Sequence, residues 1–594
     1  MDRQTIARVI LGLLVSGFLV LGCSSDPETN SSEEPNSWNL SDDADQAEPD
    51  GGGFELDADS GDLDLDSGAP DADAVDPDAD AEDPDADSSG DDVENDVFSC
   101  DPQAALQCAE DGQLEVCNDE GDGVESQPCP DGTLCSEGTC ESLCESYEAD
   151  SHLGCEFWSA FLPQTDEGPV FGNESEQFDY AVIVTNSHPW DATISIEVFA
   201  SSDLEDELFD DSEVVVEAGS AELIIMPQMR LRESGVTLSS TRLSSDLPVG
   251  VIQLNSAGSE PTSVDSARLF PSSSLGNEYY ALSWPSALPV SIPGFETPMQ
   301  RAFIAVIATE PGTTEVSVDS RARIDEGEEI STFGPDESEE FQLQQGEVLT
   351  LLVNPDDLGA SAADLTGSKI DSDQPVVVFA GHEQAAITVD QEAGSCCADH
   401  LEEQLLPVDR WGTHYIAAPS AGREVADRWR VVAGEDVTLE TNPPQPDAES
   451  ITLEAGEFVD VISDEAFEIS ADGKILVAQF LAGKEQSAEQ IGDPSMVHIT
   501  AVEHFIDSHQ VWTSSDYSQN FLIVTRPEGV EVELNDVALS DDHFEAVGDS
   551  GFEAAQIGVV GGAHRVTSAE GIGVMVMGLG DAVSYTYAGG LRLR

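Results

Sequence analysis

Four times between Tyr180 and Met575 the chain runs through the same three elements in one order, about 100 residues apart, and this repetition constrains the fold more than any single residue does. The first element is an apolar run, a turn and a β-branched run. It reads Tyr180 to Val184 with Thr193 to Ile196, Phe303 to Ile307 with Thr314 to Val318, Trp429 to Ala433 with Val437 to Leu439, and Phe521 to Thr525 with Val530 to Leu534. The turns carry His188-Pro189, Pro311-Gly312, Gly434-Glu435-Asp436 and Pro527-Glu528-Gly529, so each pair predicts a β-hairpin. A small-residue turn follows as Glu217-Ala218-Gly219, Gln345-Gly346-Glu347, Glu454-Ala455-Gly456-Glu457 and Val560-Gly561-Gly562. The third element begins at Ser245-Asp246, Ser372-Asp373, Ala471-Asp472 and Ala569-Glu570, each leading into an apolar run.

A unit of this size without long helical periodicity predicts an all-β fold, a repeat-built array of β-sandwich-like units. A propeller blade takes only about 40 to 45 residues. Yet Val376 to Phe379 is apolar at every position, which implies strands covered on both faces and keeps a β-propeller-like assembly as the alternative.

Ahead of the repeats the chain changes character three times. Residues 1–22 combine Arg3 and Arg8 with an apolar run from Val9 to Leu21, too short to span a bilayer as a helix, and predict a secretory signal. Gly22 precedes Cys23 and Ser24 follows it, an arrangement similar to a bacterial lipobox, in which the cysteine is acylated and becomes the mature N-terminus. The expected location is the bacterial cell envelope, with the lipid in the outer membrane and the protein exposed at the surface. Residues 23–99 are Asp-rich and hold no basic residue, so they cannot bury enough apolar surface to order themselves and predict a disordered tether. Residues 100–155 hold Cys100, Cys108, Cys117, Cys129, Cys135, Cys140, Cys144 and Cys155 and predict a small module held by disulfides. Cys396 and Cys397 bring the disulfide candidates to ten, and Cys155 is also a candidate partner for either. The repeat domain is expected over residues 156–594.

The chain of 594 residues carries 20 basic and 121 acidic residues, a net charge of −101, with no Lys or Arg between Arg8 and Arg230. Nucleic-acid binding and adsorption to an anionic lipid surface both need a basic patch, so the balance excludes them as roles. The membrane contact expected is the lipid alone.

Several motifs carry a likeness: Asp364-Leu365-Thr366-Gly367, Pro375 to His382, Cys397-Ala398-Asp399-His400-Leu401-Glu402-Glu403-Gln404 with Pro407, Trp411-Gly412, and Ser584-Tyr585-Thr586-Tyr587. Through them residues 155 to 594 resemble the N-terminal domain family of IgGFc-binding protein, found in an animal mucus protein and in many bacterial surface proteins. The resemblance implies an extracellular binding or adhesion role, with no catalytic site to carry over and no motif that encodes antibody recognition.

The densest polar constellation is His382, Glu383, Cys396, Cys397, Asp399, His400, Glu402, Glu403 and His414. Of these His382, Asp399, His400 and Glu403 are the candidate metal ligands, for zinc or calcium. No H-E-x-x-H spacing is present, and a polar cluster beside a disulfide accounts for the same residues. Gly548-Asp549-Ser550-Gly551 resembles a serine-protease nucleophile segment, but Phe552 replaces the next glycine and the segment reads as a turn. Trp158 and Trp190 are candidate exposed anchors. The expectation is a non-catalytic, lipid-anchored surface protein that needs no cofactor and binds an extracellular protein or glycan. The alternatives are an exported metal-dependent hydrolase using the His382 to His414 cluster, and a structural spacer of the envelope. Replacing Cys23 by Ser is expected to release the protein from membranes in a fractionation experiment, and unchanged membrane retention would overturn the anchor.

Overall fold

The computed structural model describes residues 105–593 apart from 110–112, 121, 137, 147–150, 166–179, 201–212, 256–263, 287–290, 293–294, 297–299, 329, 336, 355–362 and 390–397. The signal segment, Cys23, the acidic tether, Cys100, Cys396 and Cys397 therefore lie outside the described residues.

The second repeat shows the wiring of all four. Its strands run Gly276–Tyr280, Ala302–Ala308, Thr313–Asp319, Ser338–Gln344, Glu347–Leu352, Lys369–Ala385 and Asp399–Gln404. The sixth is long enough to serve two sheets. Its first half pairs with the first and third strands, and its second half with the second and seventh, all antiparallel. The fifth strand then extends the second, and the fourth extends the third. Two four-stranded sheets thus share one strand, a sandwich-like unit whose corner lies halfway along the sixth strand. The sixth strands of the other units are Gly235–Asn255, Phe467–Leu481 and Gly562–Gly580, with the same partners in the same halves.

This pairing corrects the hairpins expected from the first element. The two runs of each pair are the second and third strands, and they lie end to end along the sixth strand instead of against each other. Their Pro and Gly turn is the corner at which the chain changes sheets. The third element marks the same corner on the sixth strand, where Asp246, Asp373 and Asp472 accept hydrogen bonds from the backbone N–H of Thr193 (2.7 Å), Glu315 (2.8 Å) and Thr438 (2.6 Å). The small-residue turns place Gly219, Gly346 and Gly456 at φ of 68°, 81° and 76° between the fourth and fifth strands. In the last unit that place belongs to Gly551 at φ 79°, whereas Val560-Gly561-Gly562 joins the fifth strand to the sixth.

The seventh strands, Asp265–Leu269, Asp399–Gln404, Ser495–His498 and Val583–Ala588, pack on one another in turn, and the fourth packs back on the first. The sandwich-like units therefore stand as blades around one axis, so the array and the propeller-like readings of the sequence describe two levels of the same fold. The second strands of the first two units are buried at every position because each inner sheet lies between two units. Phe303, Ala305 and Ile307 of the second unit share a core with the first, and Ile183 and Ile252 of the first share one with the fourth. The third strand Thr313–Asp319, on the outer sheet, alternates exposed and buried residues. The ring closes where Leu591 N donates to His152 Nδ1 (3.2 Å) and His152 N to Leu591 O (3.2 Å).

Ahead of the ring lie two small sheets and a one-turn helix, Leu143–Ser146, cross-linked by Cys108–Cys135 and Cys129–Cys140. Cys117 is also disulfide-bonded. Cys155 pairs with Cys144, so it is not a partner of Cys396 or Cys397, and it lies inside the first strand of the ring, Gly154–Ser159. The module thereby joins the first unit both covalently and by burying Leu143 in that unit's core.

Asp472→Ala is expected to lower stability by about 1 kcal/mol by leaving the Thr438 N–H without its acceptor. Asp472→Asn should recover most of the loss in a urea titration.

Candidate functional site

Each axial strand pairs on one side with its own sixth strand and turns its other edge toward the neighbouring unit. Backbone N–H groups on such an edge need acceptors once water is excluded. Side chains from adjoining units supply them. Asp265 Oδ2 accepts from Glu402 N and Met496 N, both at 3.1 Å, and its Oδ1 accepts from Ser495 Oγ at 2.7 Å. Ser495 Oγ in turn meets Thr586 Oγ1 at 2.7 Å, so one carboxyl group of the first unit is linked to the other three. Around it Glu403 Oε1 accepts from His498 N (3.0 Å), Gln404 Oε1 from Phe270 N (2.9 Å) and Ser584 Oγ from Asp493 N (2.7 Å). Asp265 was not singled out from the sequence. Aligning Val264-Asp265-Ser266 with Ala398-Asp399-His400 as the same position of two repeats is the signal that would have found it.

Burial dominates the electrostatics. Asp265, Glu402, Glu403 and Asp493 are raised well above the ordinary carboxyl range, chiefly by loss of water. His382, His400 and His498 are pushed down to about 3 by the same cause and stay neutral. Asn255 Nδ2 meets His400 Nε2 at 3.0 Å, and the Glu402 carboxyl faces the same nitrogen at 3.3 Å. The His400 ring stacks on Phe303 with centroids 5.9 Å apart.

The expected metal ligands do not converge. His400 and Glu402 share one face of the axial strand while Asp399 and Glu403 take the other, as side chains alternate along a strand. His382 lies on the neighbouring sixth strand, paired with Leu401, and its Nδ1 accepts from Gln384 N at 3.1 Å. Glu383 is bound to Arg301 through two bonds of 2.9 and 2.7 Å, and His414 stands in the third unit, 2.7 Å from Glu468. Among the described residues no group of three or more His, Cys, Asp or Glu side chains is placed to hold a metal ion. Ser550 Oγ donates to Val547 O (2.7 Å) within a turn, as the sequence implied. Trp158 is buried and Trp190 packs on the first unit's core, so neither is an exposed anchor.

A second buried cluster joins the second and third units. Arg430 donates from Nη1 to Asp364 Oδ2 (2.9 Å), Thr366 Oγ1 (2.8 Å) and Ser283 O (2.8 Å), and from Nε to Asp460 Oδ1 (2.8 Å). Its guanidinium carbon lies 5.3 Å from the Trp284 ring centroid and 4.2 Å from that of Phe458.

The family model described as IgGFc binding protein matches residues 265–578, from the first axial strand to the last sixth strand. The chain belongs to the IgGFc binding protein family. Human IgGFc-binding protein is 28% identical over 355 residues, which make up 58% of this chain and 6% of the human protein, so the chain spans a small fraction of that relative's length. No solved structure matches.

Several of the residues that carry the family likeness are now accounted for physically. Asp364 to Gly367 forms the turn that receives Arg430, Asp399 to Gln404 is an axial strand, and Thr586 belongs to the Asp265 network. Trp411 Nε1 donates to Leu406 O (2.9 Å) in the connection between the second and third units.

Stability should respond to pH from both sides. The buried carboxyls bind their protons more tightly in the folded state than in the unfolded chain, so their contribution is complete below about pH 4 and is lost as pH rises through the raised values. The buried histidines do the opposite, losing stability as pH falls from the ordinary imidazole value of 6.5 toward about 3. Glu402→Gln is expected to flatten the fall in thermal midpoint between pH 5 and pH 8, and an unchanged slope would show that this carboxyl is ionised in the fold.

Proposed function

We propose that the protein is a non-catalytic binding protein that holds its four-unit ring outside the cell, on an acidic tether anchored through acylated Cys23, to engage a protein partner. The observation that carries this reading is the burial of the polar chemistry: His382, Asp399, His400, Glu402 and Glu403 are all below 6% exposed. What the ring offers to solvent is outer-sheet strands, corners and the clefts between units. Membership in a family named for a binding activity points the same way, and the human relative's name makes IgG Fc the first probe to try. A hydrolase built on the His382 to His414 cluster would need that cluster to open, and His414 stands apart from it in another unit.

The test is a binding screen with the purified full-length protein against IgG Fc, mucins, other extracellular proteins and glycans. Saturable binding to a protein is the expected result. Saturable binding to glycans alone would replace the partner class, and no saturable binding at all would leave a spacer as the better account.

A further inference from the structure

The corner aspartates fix which positions of the units correspond. Ile183, Ala305 and Arg430 pair with Ile252, Phe379 and Ala478, each six residues beyond Asp246, Asp373 and Asp472. Their fifth-strand partners are Leu223, Thr350 and Asp460, so these three residues hold one place in the fold.

What covers that place differs. In the second unit the outer edge of Glu347–Leu352 is taken by the start of the first unit's sixth strand, with Gly235 to Leu238 antiparallel to Glu347 to Thr350 and Leu352 N donating to Ser234 Oγ at 3.1 Å. Val348, Thr350 and Leu352 are at most 1% exposed as a result. In the third unit Asp460 is bound by Arg428 and Arg430, and charge on an edge strand discourages pairing. In the fourth, Glu545–Ala546 pairs along part of Phe552–Val559. The first unit has none of these devices. Among the described residues no strand pairs with the outer edge of Ala221–Ile225, and Leu223 and Ile225 are 40% and 45% exposed. Ser220 O and Met226 N bond to the second strand, so by alternation the backbone N–H and C=O groups of Ala221, Leu223 and Ile225 point outward. Their counterparts in the second unit are Val348, Thr350 and Leu352, which face the added strand.

We propose that this edge takes up an extended segment of a partner protein as an antiparallel added strand, as Gly235 to Leu238 covers the same edge one unit on. This rests on the reading of the chain as a protein-binding module. The segment's backbone pairs with the outward groups, its apolar side chains cover Leu223 and Ile225, and flanking basic residues answer Glu222 and the acidic chain around it. A second copy of this chain fits the place poorly, because two bodies of net charge −101 repel each other.

The experiment uses the full chain and a labelled peptide that copies Ser234 to Leu238 between pairs of lysines, followed by fluorescence anisotropy at physiological salt. The peptide should bind saturably and slow amide exchange at Leu223 and Ile225. A peptide of equal charge, N-methylated at the alternate residues on its bonding side, should bind about tenfold more weakly or not at all. L223P removes an outward N–H without costing a bond to the second strand, and L223K puts a charge on the edge. Both should lose about tenfold, whereas V215K, at a residue 57% exposed on the outer sheet, should bind like the wild type. Equal binding of the two peptides, unchanged binding by L223P and L223K, or no saturation would each overturn the inference. Dimerisation of the free protein in sedimentation that L223K abolishes would give the edge to a second copy and overturn it as well. A protein partner that binds both Leu223 variants as it binds the wild type would leave the proposed function standing while removing the assignment of the edge.

Discussion

Asp265 cannot be satisfied within its own unit. A buried carboxyl group needs its hydrogen bonds or its proton, and here the bonds come from Glu402 N, Met496 N and Ser495 Oγ, which belong to two other units. The relationship is reciprocal, because those two N–H groups lie on strand edges that would otherwise face the axis without acceptors. A rotation or slip of one unit would break several of these bonds at once and leave buried polar groups unpaired, at about 1 to 3 kcal/mol for each. The axis therefore specifies how the units sit around it, while the apolar cores between neighbours supply the bulk of the attraction. A polar network of this kind is a weak source of net stability but a strong filter against wrong arrangements.

The long sixth strand transmits that order outward. Because the same strand pairs with the axial strand in one half and with the outer sheet in the other, fixing the axis also fixes the orientation of the outer sheet. The corner aspartates hold the bend between the halves by binding the start of the third strand. Variation among units then falls on the boundaries. One is filled by Arg430, another is bridged by Gln556, whose Nε2 donates to Pro419 O and Ser420 O, and the last is closed by hydrogen bonds between His152 and Leu591 where the other boundaries have a continuous chain.

The repeat itself was legible because the corner residues recur: prolines and glycines after the second strand, a glycine between the fourth and fifth, an acidic residue midway along the sixth. The same corners misled the pairing. A proline and glycine between two β-branched runs signals a hairpin when only neighbours in sequence are considered, and nothing local reveals that a strand about 60 residues later will lie beside both runs. The apolar stretch Val376 to Phe379 did announce two covered faces, which the packing between units explains. The polar segment Asp399 to Gln404 stood out by density, yet density could not say that its side chains alternate between two faces and that all are buried. Asp265 escaped notice because Val264-Asp265-Ser266-Ala267 has no unusual composition, and its importance arises from strands more than 130 residues away in sequence. The cysteines were legible as a disulfide-held module by their density, while the Cys144–Cys155 link depended on the module docking against the first unit.

The segments that carry the family likeness are concentrated at the axis and at the contacts between units, out of reach of a partner. Asp364, Thr366, His400, Glu402 and Thr586 are each no more than 8% exposed. Such residues can preserve a scaffold across distant relatives while the surfaces that touch ligands diverge, since a buried hydrogen-bonded network tolerates substitution far less than an exposed strand does. Family membership and ligand identity consequently rest on different parts of the chain. The surface has its own physical bias. With a net charge of −101, the protein draws cationic partners toward it and repels acidic ones, an effect on encounter that weakens as salt rises. Long-range attraction of this kind selects no particular site, because acidic residues cover most of the chain. Selectivity has to come from local shape and hydrogen bonding, so that a cation is held by its stem as well as by its charge.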